Sequence, residues 1–259
     1  MKMPSTTVKS QSTPRVEKCY LESCSNSEVE DEPPGKTAIF KNLDEEPPST
    51  GAQRRRFFGQ IPSSLWSDWK WHFRNRITSV DQLTKFIPLT PEEQAQIRLV
   101  IKRYPLSVTP YYLSLVNPDD PEDPVRKQVI PSFYEIALAG IGSEDPLEER
   151  RDSVVPGLVH RYPDRVLIVL TDICPVLCRH CTRKREWHNG GWVRTPREIE
   201  AMLDYIRQNK NIRDVIISGG DPLTLSTQHL EDIISRIRRI PHVEIIRIGT
   251  GFPWYCPSA

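Results

Sequence analysis

The sequence predicts an α/β protein in which an α-helical N-terminal region precedes an incomplete parallel (β/α) barrel. Three apolar runs rich in β-branched residues are typical of buried strands, at 166–171, 215–218 and 243–248. Between them, the segments 199–206 and 230–237 carry apolar residues at helical spacing. Strands and helices that alternate with short connections form right-handed crossovers and a parallel sheet. A complete barrel takes about 250 residues, so about three strands predict only its opening part.

The chain divides into four predicted segments. Residues 1–56 are rich in Ser, Thr, Pro and Glu without a sustained apolar period, which predicts a disordered tail. Residues 57–164 form the helical N-terminal region, and residues 165–250 form the barrel core. The final segment, 251–259, has neither helical nor strand periodicity and is expected to be a divergent tail.

The helical region shows two kinds of local signal. Four residues recur at helical spacing and predict a face that packs into a core: Trp66, Trp69, Phe73 and Ile77. Two capping boxes, in which a Ser or Thr is followed three residues later by Gln or Glu, predict helix starts at Ser79 and Thr90.

Charge and hydropathy exclude several classes of partner. The chain has 35 basic and 34 acidic residues, so no overall field attracts nucleic acid or anionic lipid. Its apolar runs are far shorter than the roughly 20 residues that span a bilayer, so we expect no membrane span. A cytoplasmic location is expected. Mitochondrial import is the alternative, because the first sixteen residues are basic, rich in Ser and Thr, and free of acidic side chains.

Three of the six cysteines are concentrated in one short motif, CPVLCRHC. Cys174, Cys178 and Cys181 follow the first predicted strand of the parallel sheet, at the carboxyl edge where barrel enzymes hold their active sites. This crowding is unlike a disulfide framework and indicates a metal site in a reducing compartment. Three thiolates can ligate three irons of a [4Fe–4S] cluster and leave the fourth iron open. The motif therefore predicts an iron–sulfur cluster.

A zinc site is the alternative for the same cysteines. His180 or His188 would complete a Cys₃His set. Zinc ribbons, however, usually use pairs of the form CxxC. The remaining cysteines, Cys19, Cys24 and Cys256, lie apart from the motif, and we expect no role for them.

The cysteine motif and a second segment together resemble the radical S-adenosylmethionine (SAM) superfamily. The segment SGGDP at 218–222 follows the second predicted strand and is similar to the glycine-rich SAM-binding segment of that superfamily. The resemblance implies that Gly219, Gly220 and Asp221 contact SAM. It also implies that the cluster reduces SAM to a 5′-deoxyadenosyl radical, which abstracts hydrogen from a substrate.

Longer blocks of sequence resemble the lysine 2,3-aminomutase family. They lie at 66–77, 109–131, 145–166 and 240–250. The resemblance implies an isomerase that uses pyridoxal 5′-phosphate (PLP) to move an amino group between the α and β carbons of an amino acid. By the same resemblance, the PLP phosphate is contacted by Arg161, Tyr162 and Arg165. Arg183 is then expected to pair with the α-carboxylate of the substrate.

The chain departs from this family after the third strand. The family's Schiff-base lysine lies beyond that strand, whereas here no lysine follows Lys210. The carboxylates that recognise the distal amino group of lysine also lie beyond it, so lysine, glutamate and protein-bound lysine stay open as substrates. We expect a C-terminally truncated chain, and an inactive iron–sulfur or zinc-binding fragment is the alternative. The resemblance implies an amino acid substrate and an electron donor to the cluster as partners, and a family tendency to associate with a second copy of the chain.

Overall fold

The computed structural model describes residues 48–187 and 191–256. An N-terminal helical region precedes an open sheet of five strands. The predicted mixture of an α-helical preamble and an α/β core is therefore present. Within the described ranges, every helix is too short or too polar to cross a bilayer.

The helical region consists of short helices joined by tight turns. They are α1 (Pro48–Phe58), α2 (Ser63–Trp66), α3 (Trp69–Arg74), α4 (Val80–Leu83), α5 (Pro91–Arg103), α6 (Pro110–Leu113), α7 (Pro124–Val129) and α8 (Tyr134–Ala137). Both predicted capping boxes are formed, because Ser79 accepts from the Gln82 amide and Thr90 accepts from the Glu93 amide. These caps satisfy amide groups that a helix start leaves without partners.

A separate apolar core holds the helical region together. Trp66 and Ile77 of the predicted face are buried in it, whereas Trp69 and Phe73 are only half-buried. His72 lies fully inside, where its Nδ1 accepts from the Tyr111 amide at 3.2 Å and its Nε2 donates to the Trp66 carbonyl at 2.7 Å. Burial lowers the pKa of His72, so the fold holds this ring neutral.

Two terminal segments differ from the prediction. Residues 1–47 of the predicted disordered tail lie outside the described residues, but residues 48–56 are helical in α1. This helix has a tertiary anchor, since Phe58 is buried with its ring 5.1 Å from that of Phe86. In the predicted divergent tail, helix α11 (Phe252–Tyr255) forms because Phe252 is buried, and 257–259 lie outside the described residues. Side-chain packing that local periodicity does not encode stabilises both segments.

The sheet contains the three predicted parallel strands and two more. Its strands are β1 (Ser153–Val155), β2 (Leu158–Tyr162), β3 (Arg165–Val169), β4 (Asp214–Ser218) and β5 (Ile245–Ile248), paired in that order. The β3–β4 and β4–β5 pairs are parallel, whereas the β1–β2 and β2–β3 pairs are antiparallel. Strands β1 and β2 lie within 57–164, the segment predicted to be helical. They are too short to show a clear alternation, and Gly157 makes the turn between them with a positive φ of 85°.

One face of the sheet is covered by two amphipathic helices. Helix α9 (Pro196–Gln208) and helix α10 (Thr227–Arg238) bury the apolar faces that the sequence predicted, packed on Val166 and Ile168 of β3. The opposite face is more open, because Arg165, Leu167 and Val169 of β3 are only half-buried. The carboxyl ends of β3, β4 and β5 meet at a common edge, so the loops that follow them are neighbours.

Candidate functional site

The cysteine loop follows β3 and is held by the helical region. Its backbone is fixed at two points, because the Leu177 amide donates to the Ser107 carbonyl at 2.9 Å and the Arg179 amide donates to the Gln128 carbonyl at 2.7 Å. Val176 is buried in the core of the helical region. The helical preamble therefore determines where the three cysteines stand.

Charged side chains strengthen this attachment. Arg179 is buried and forms a two-pronged pair with Glu135, with nitrogen–oxygen distances of 2.6 and 3.0 Å. Lys184 pairs with the same carboxylate. These pairs lower the pKa of Glu135 against the opposing effect of burial. On the other side of the loop, Arg76 donates to the Cys174 carbonyl at 3.1 Å.

The three thiols are half-buried neighbours. Burial, followed by repulsion from Asp221 and from the other two cysteines, raises the pKa of Cys174. Burial also raises the pKa of Cys178. Free thiols at Cys174 and Cys178 keep their protons at neutral pH, and a metal that binds them must release those protons.

The cysteine loop offers three thiols, which is the number that a [4Fe–4S] cluster uses when its fourth iron is left open. In 48–187 and 191–256, no three His, Cys, Asp or Glu side chains converge closely enough to hold one metal ion. A cluster takes one thiolate for each of three irons, and a single zinc ion takes all of its ligands on one atom. Of the two histidines proposed for zinc, His180 is exposed and His188 lies outside the described residues.

The glycine pair after β4 lies directly against the strand that leads into the cysteines. The Gly220 amide donates to the Thr171 carbonyl at 2.5 Å. Gly219 has a positive φ of 137°, and a Cβ at this position would stand 2.4 Å from the Thr171 oxygen. A Cβ at Gly220 would stand 2.5 Å from the carbonyl carbon of Asp172. Here glycine permits close approach of protein backbone, a role in addition to the SAM contact predicted for the pair.

Asp221 connects the loops that follow β4 and β5. Its carboxylate is buried and accepts from the Thr250 hydroxyl at 2.7 Å and from the Gly251 amide at 2.9 Å. Burial raises the pKa of Asp221, and these hydrogen bonds oppose that shift. The predicted SAM contact at Asp221 therefore lies on a residue whose side chain is already bonded within the protein.

Arg183 lies beside the cysteines, and its guanidinium forms a two-pronged pair with the carboxylate of Glu149. Glu149 accepts from Arg183 Nη2 at 2.6 Å and from Arg183 Nε at 3.0 Å. Glu149 also accepts from the buried Arg185 at 2.9 Å. The third arm of Arg183 donates to the Gly219 carbonyl at 3.1 Å. This fork–fork geometry is the one by which a guanidinium recognises a substrate carboxylate.

The three residues predicted to contact the PLP phosphate lie at the other end of β3. Arg161 donates through Nε to Asp152 at 2.7 Å, and Arg165 donates through Nε to the buried Asp214 at 2.6 Å. Both pairings leave the terminal nitrogens of the guanidinium for another acceptor. Tyr162 is exposed.

Two cavities bring the predicted residues together. A cavity of about 50 Å³ at the carboxyl edge is lined by Cys174, Cys181, Arg183, Gly219 and Gly220, among others. A second cavity of about 180 Å³ on the open face of the sheet is lined by Arg161, Tyr162, Arg165 and Arg183. Arg183 borders both, so it links the cysteine edge to the open face.

Sequence reasoning missed two residues at this site. Glu149 lies in the block 145–166, which resembles the aminomutase family over its whole length, and no local sequence pattern distinguishes the Glu149 carboxylate from its neighbours. Tyr255 lies in the segment without periodicity, yet its hydroxyl stands 3.0 Å from the Cys178 sulfur. Burial and this contact raise the pKa of Tyr255. Only the tertiary fold identifies these two residues.

Comparison with known proteins agrees with the resemblance seen in the sequence. Residues 168–253 match the family model of the radical SAM superfamily. The chain is 48% identical over 206 residues to the L-lysine 2,3-aminomutase of Clostridium subterminale, a match that covers 80% of this chain and 50% of that protein. The L-lysine 2,3-aminomutase of Acetoanaerobium sticklandii is 48% identical over 203 residues, covering 78% of this chain and 49% of that protein.

A glutamate enzyme is also similar. The glutamate 2,3-aminomutase of Clostridioides difficile is 40% identical over 185 residues, a match that covers 71% of this chain and 44% of that protein. The chain thus spans about half the length of the curated relatives it matches.

Proposed function

Because the chain belongs to the radical SAM superfamily, we propose that it is an amino acid 2,3-aminomutase of the lysine type. Cys174, Cys178 and Cys181 hold a [4Fe–4S] cluster, and SAM binds beside Gly219, Gly220 and Asp221. The observation that carries this proposal is the cavity at the carboxyl edge of the sheet, where two of the three cysteines, Cys174 and Cys181, meet the glycine pair and Arg183. A cluster and SAM held by these residues would supply a radical that abstracts hydrogen, and PLP would supply the aldehyde that holds the migrating nitrogen.

The protein's own residues position the reactants. The helical region fixes the cysteine loop from one side and the glycine pair fixes it from the other. Arg183 binds the substrate α-carboxylate. That carboxylate must either share the Nε and Nη2 groups of Arg183 with Glu149 or displace Glu149 from them. The terminal nitrogens of Arg161 and Arg165, with the Tyr162 hydroxyl, hold the PLP phosphate in the cavity on the open face.

The fold and the setting complete the proposal. We interpret the parallel part of the sheet, β3 to β5, as the opening strands of a radical SAM barrel. Cysteines that must stay reduced suit a reducing compartment, so we propose a cytoplasmic protein. By its likeness to the family, we also propose that it receives electrons from a separate donor and associates with a second copy of itself.

Iron content tests the cluster. The full chain is purified without oxygen, supplied with iron and sulfide, and measured for iron and for the EPR spectrum of the reduced protein with and without SAM. We expect about four irons per chain and a spectrum that SAM changes. Cys178→Ala should lose the iron, whereas Cys256→Ala is the matched control and should keep it. A folded chain that binds zinc in preference to iron would contradict the proposal.

Substrate choice is tested separately. Lysine is the first candidate because the L-lysine 2,3-aminomutase of Clostridium subterminale matches 80% of the chain at 48% identity, against 71% at 40% identity for the glutamate enzyme. Loaded protein is incubated with SAM, PLP and either lysine or glutamate, and the β-amino acid is measured. Arg183→Lys should lower product formation from either substrate about a hundredfold, because a lysine cannot form the two-pronged bond.

A further inference from the structure

A tyrosine outside the predicted site touches one of the three cysteines. The Tyr255 oxygen lies 3.0 Å from the Cys178 sulfur, and 77 residues separate the two along the chain. With a free thiol either group can be the donor. A thiolate that ligates iron has no proton, so the phenol is then the donor.

Contacts with the helical region fix the position of this tyrosine. The Tyr255 carbonyl accepts from the Thr109 hydroxyl at 2.5 Å, and its ring packs edge-on against Tyr112 at 5.3 Å. Helix α11 is anchored by Phe252, whose ring lies 5.2 Å from that of Trp69. The hydrogen bond to Thr109, the ring contact with Tyr112 and the anchoring of helix α11 by Phe252 together fix the Tyr255 hydroxyl beside the Cys178 sulfur.

Glycine allows the ring to fold back over its own helix. A Cβ at Gly251 would stand 2.6 Å from the Tyr255 ring. The same glycine donates its amide to Asp221 at 2.9 Å. One short segment thus binds the loop after β4 and presents a hydroxyl to the cysteine loop.

We propose that Tyr255 tunes the cluster by donating a hydrogen bond to the Cys178 sulfur. The proposal rests on the proposed function, because it requires the cluster that Cys178 helps to hold. Reduction adds an electron whose charge is shared by the ligating sulfurs, and a hydrogen bond to a more negative acceptor is stronger. Hydrogen bonds to the sulfurs are one of the factors that set cluster potentials. Tyr255 therefore favours the reduced cluster, and we class it as a positioning residue that acts through its neighbour.

Tyr255→Phe removes the donor and keeps the ring that packs on Tyr112. Tyr112→Phe is the matched control, because it removes a neighbouring phenol whose hydroxyl donates to Gln128 at 3.2 Å. The full chain, wild type or variant, is loaded with iron and sulfide, and reduced cluster is followed by EPR at a series of fixed potentials. Iron per chain and circular dichroism are recorded for each sample.

We expect Tyr255→Phe to keep its iron and its fold, and to require a more negative potential for reduction. One hydrogen bond is worth roughly a factor of five in an equilibrium, and only part of it differs between redox states, so the ratio of reduced to oxidised cluster should fall about threefold at a fixed potential. Tyr112→Phe should match the wild type. Equal potentials in all three proteins, with iron bound, would overturn this inference alone. Absence of a cluster from the wild type would overturn the proposed function and this inference with it.

Discussion

Glu149 offers a sharp test of how the site is held together. Its carboxylate is buried between Arg183 and Arg185, with closest nitrogen–oxygen distances of 2.6 and 2.9 Å. Glu149→Gln keeps the shape of the side chain and removes its charge. Removing one partner of a buried pair costs about 3–5 kcal/mol. Arg185 retains Asp145 at 3.1 Å, so we expect a smaller loss of about 2–3 kcal/mol in the free energy of unfolding.

Urea and thermal unfolding followed by circular dichroism measure this loss. For a domain of this size 1 kcal/mol corresponds to roughly 2–4 °C, so the melting temperature should fall by about 4–12 °C. Glu144→Gln is the matched control, because Glu144 pairs with Arg103 at 2.8 Å while both side chains are largely exposed, at 59% and 46%. Exposed pairs contribute about 0–1 kcal/mol. If the two variants unfold alike, the carboxylate does not anchor the arginines as described.

Two further predictions concern backbone contact and protonation. Gly220→Ala should at least halve the iron bound per chain, since its Cβ would stand 2.5 Å from the Asp172 carbonyl carbon; Gly140→Ala has no atom within 4 Å and should bind iron normally. Burial lowers the pKa of His72 below 6.5 in the folded protein. Below pH 6.5, the unfolded chain therefore binds a proton at this residue more readily than the folded protein does. The free energy of unfolding should therefore fall as the pH drops below 6.5, by up to about 1.4 kcal/mol per pH unit. Urea titrations at pH 7.5 and 5.5 should show that slope in wild type and in His180→Gln, and its loss in His72→Gln; an unchanged slope in His72→Gln would refute the assignment.

The elements that sequence predicted well are those with local signals. The capping boxes at Ser79 and Thr90 each need only four consecutive residues, and both are formed. The strand β4 begins within one residue of its predicted start, because a fully buried parallel strand is a continuous apolar run. By contrast, β1 has three residues, and too few of them face the core to give a pattern.

The candidate site divides in the same way. Parallel strands end at one edge, so the cysteine motif and the glycine pair could be expected to lie close together, and the Gly220 amide does donate to the Thr171 carbonyl, three residues before Cys174. Residue roles carried by the resemblance stay predictions. Glu149 and Tyr255 could not be predicted, because they reach Arg183 and Cys178 across 34 and 77 residues of chain. Contacts of that span depend on packing, which the local sequence does not record.

The attachment of the cysteine loop to the helical region also bears on how the protein folds. The bonds that fix this loop join residues far apart in the chain, 98 residues for Arg76 with Cys174 and 68 for Ser107 with Pro175. Contacts of high sequence separation form late, after the entropy of closing long loops has been overcome. We therefore expect the cysteines to reach their final arrangement late in folding. Hydrogen exchange at the Leu177 and Arg179 amides would report the attachment of this loop directly. Both amides donate to carbonyls of the helical region, so we expect their protons to become protected only when the loop has docked on that region.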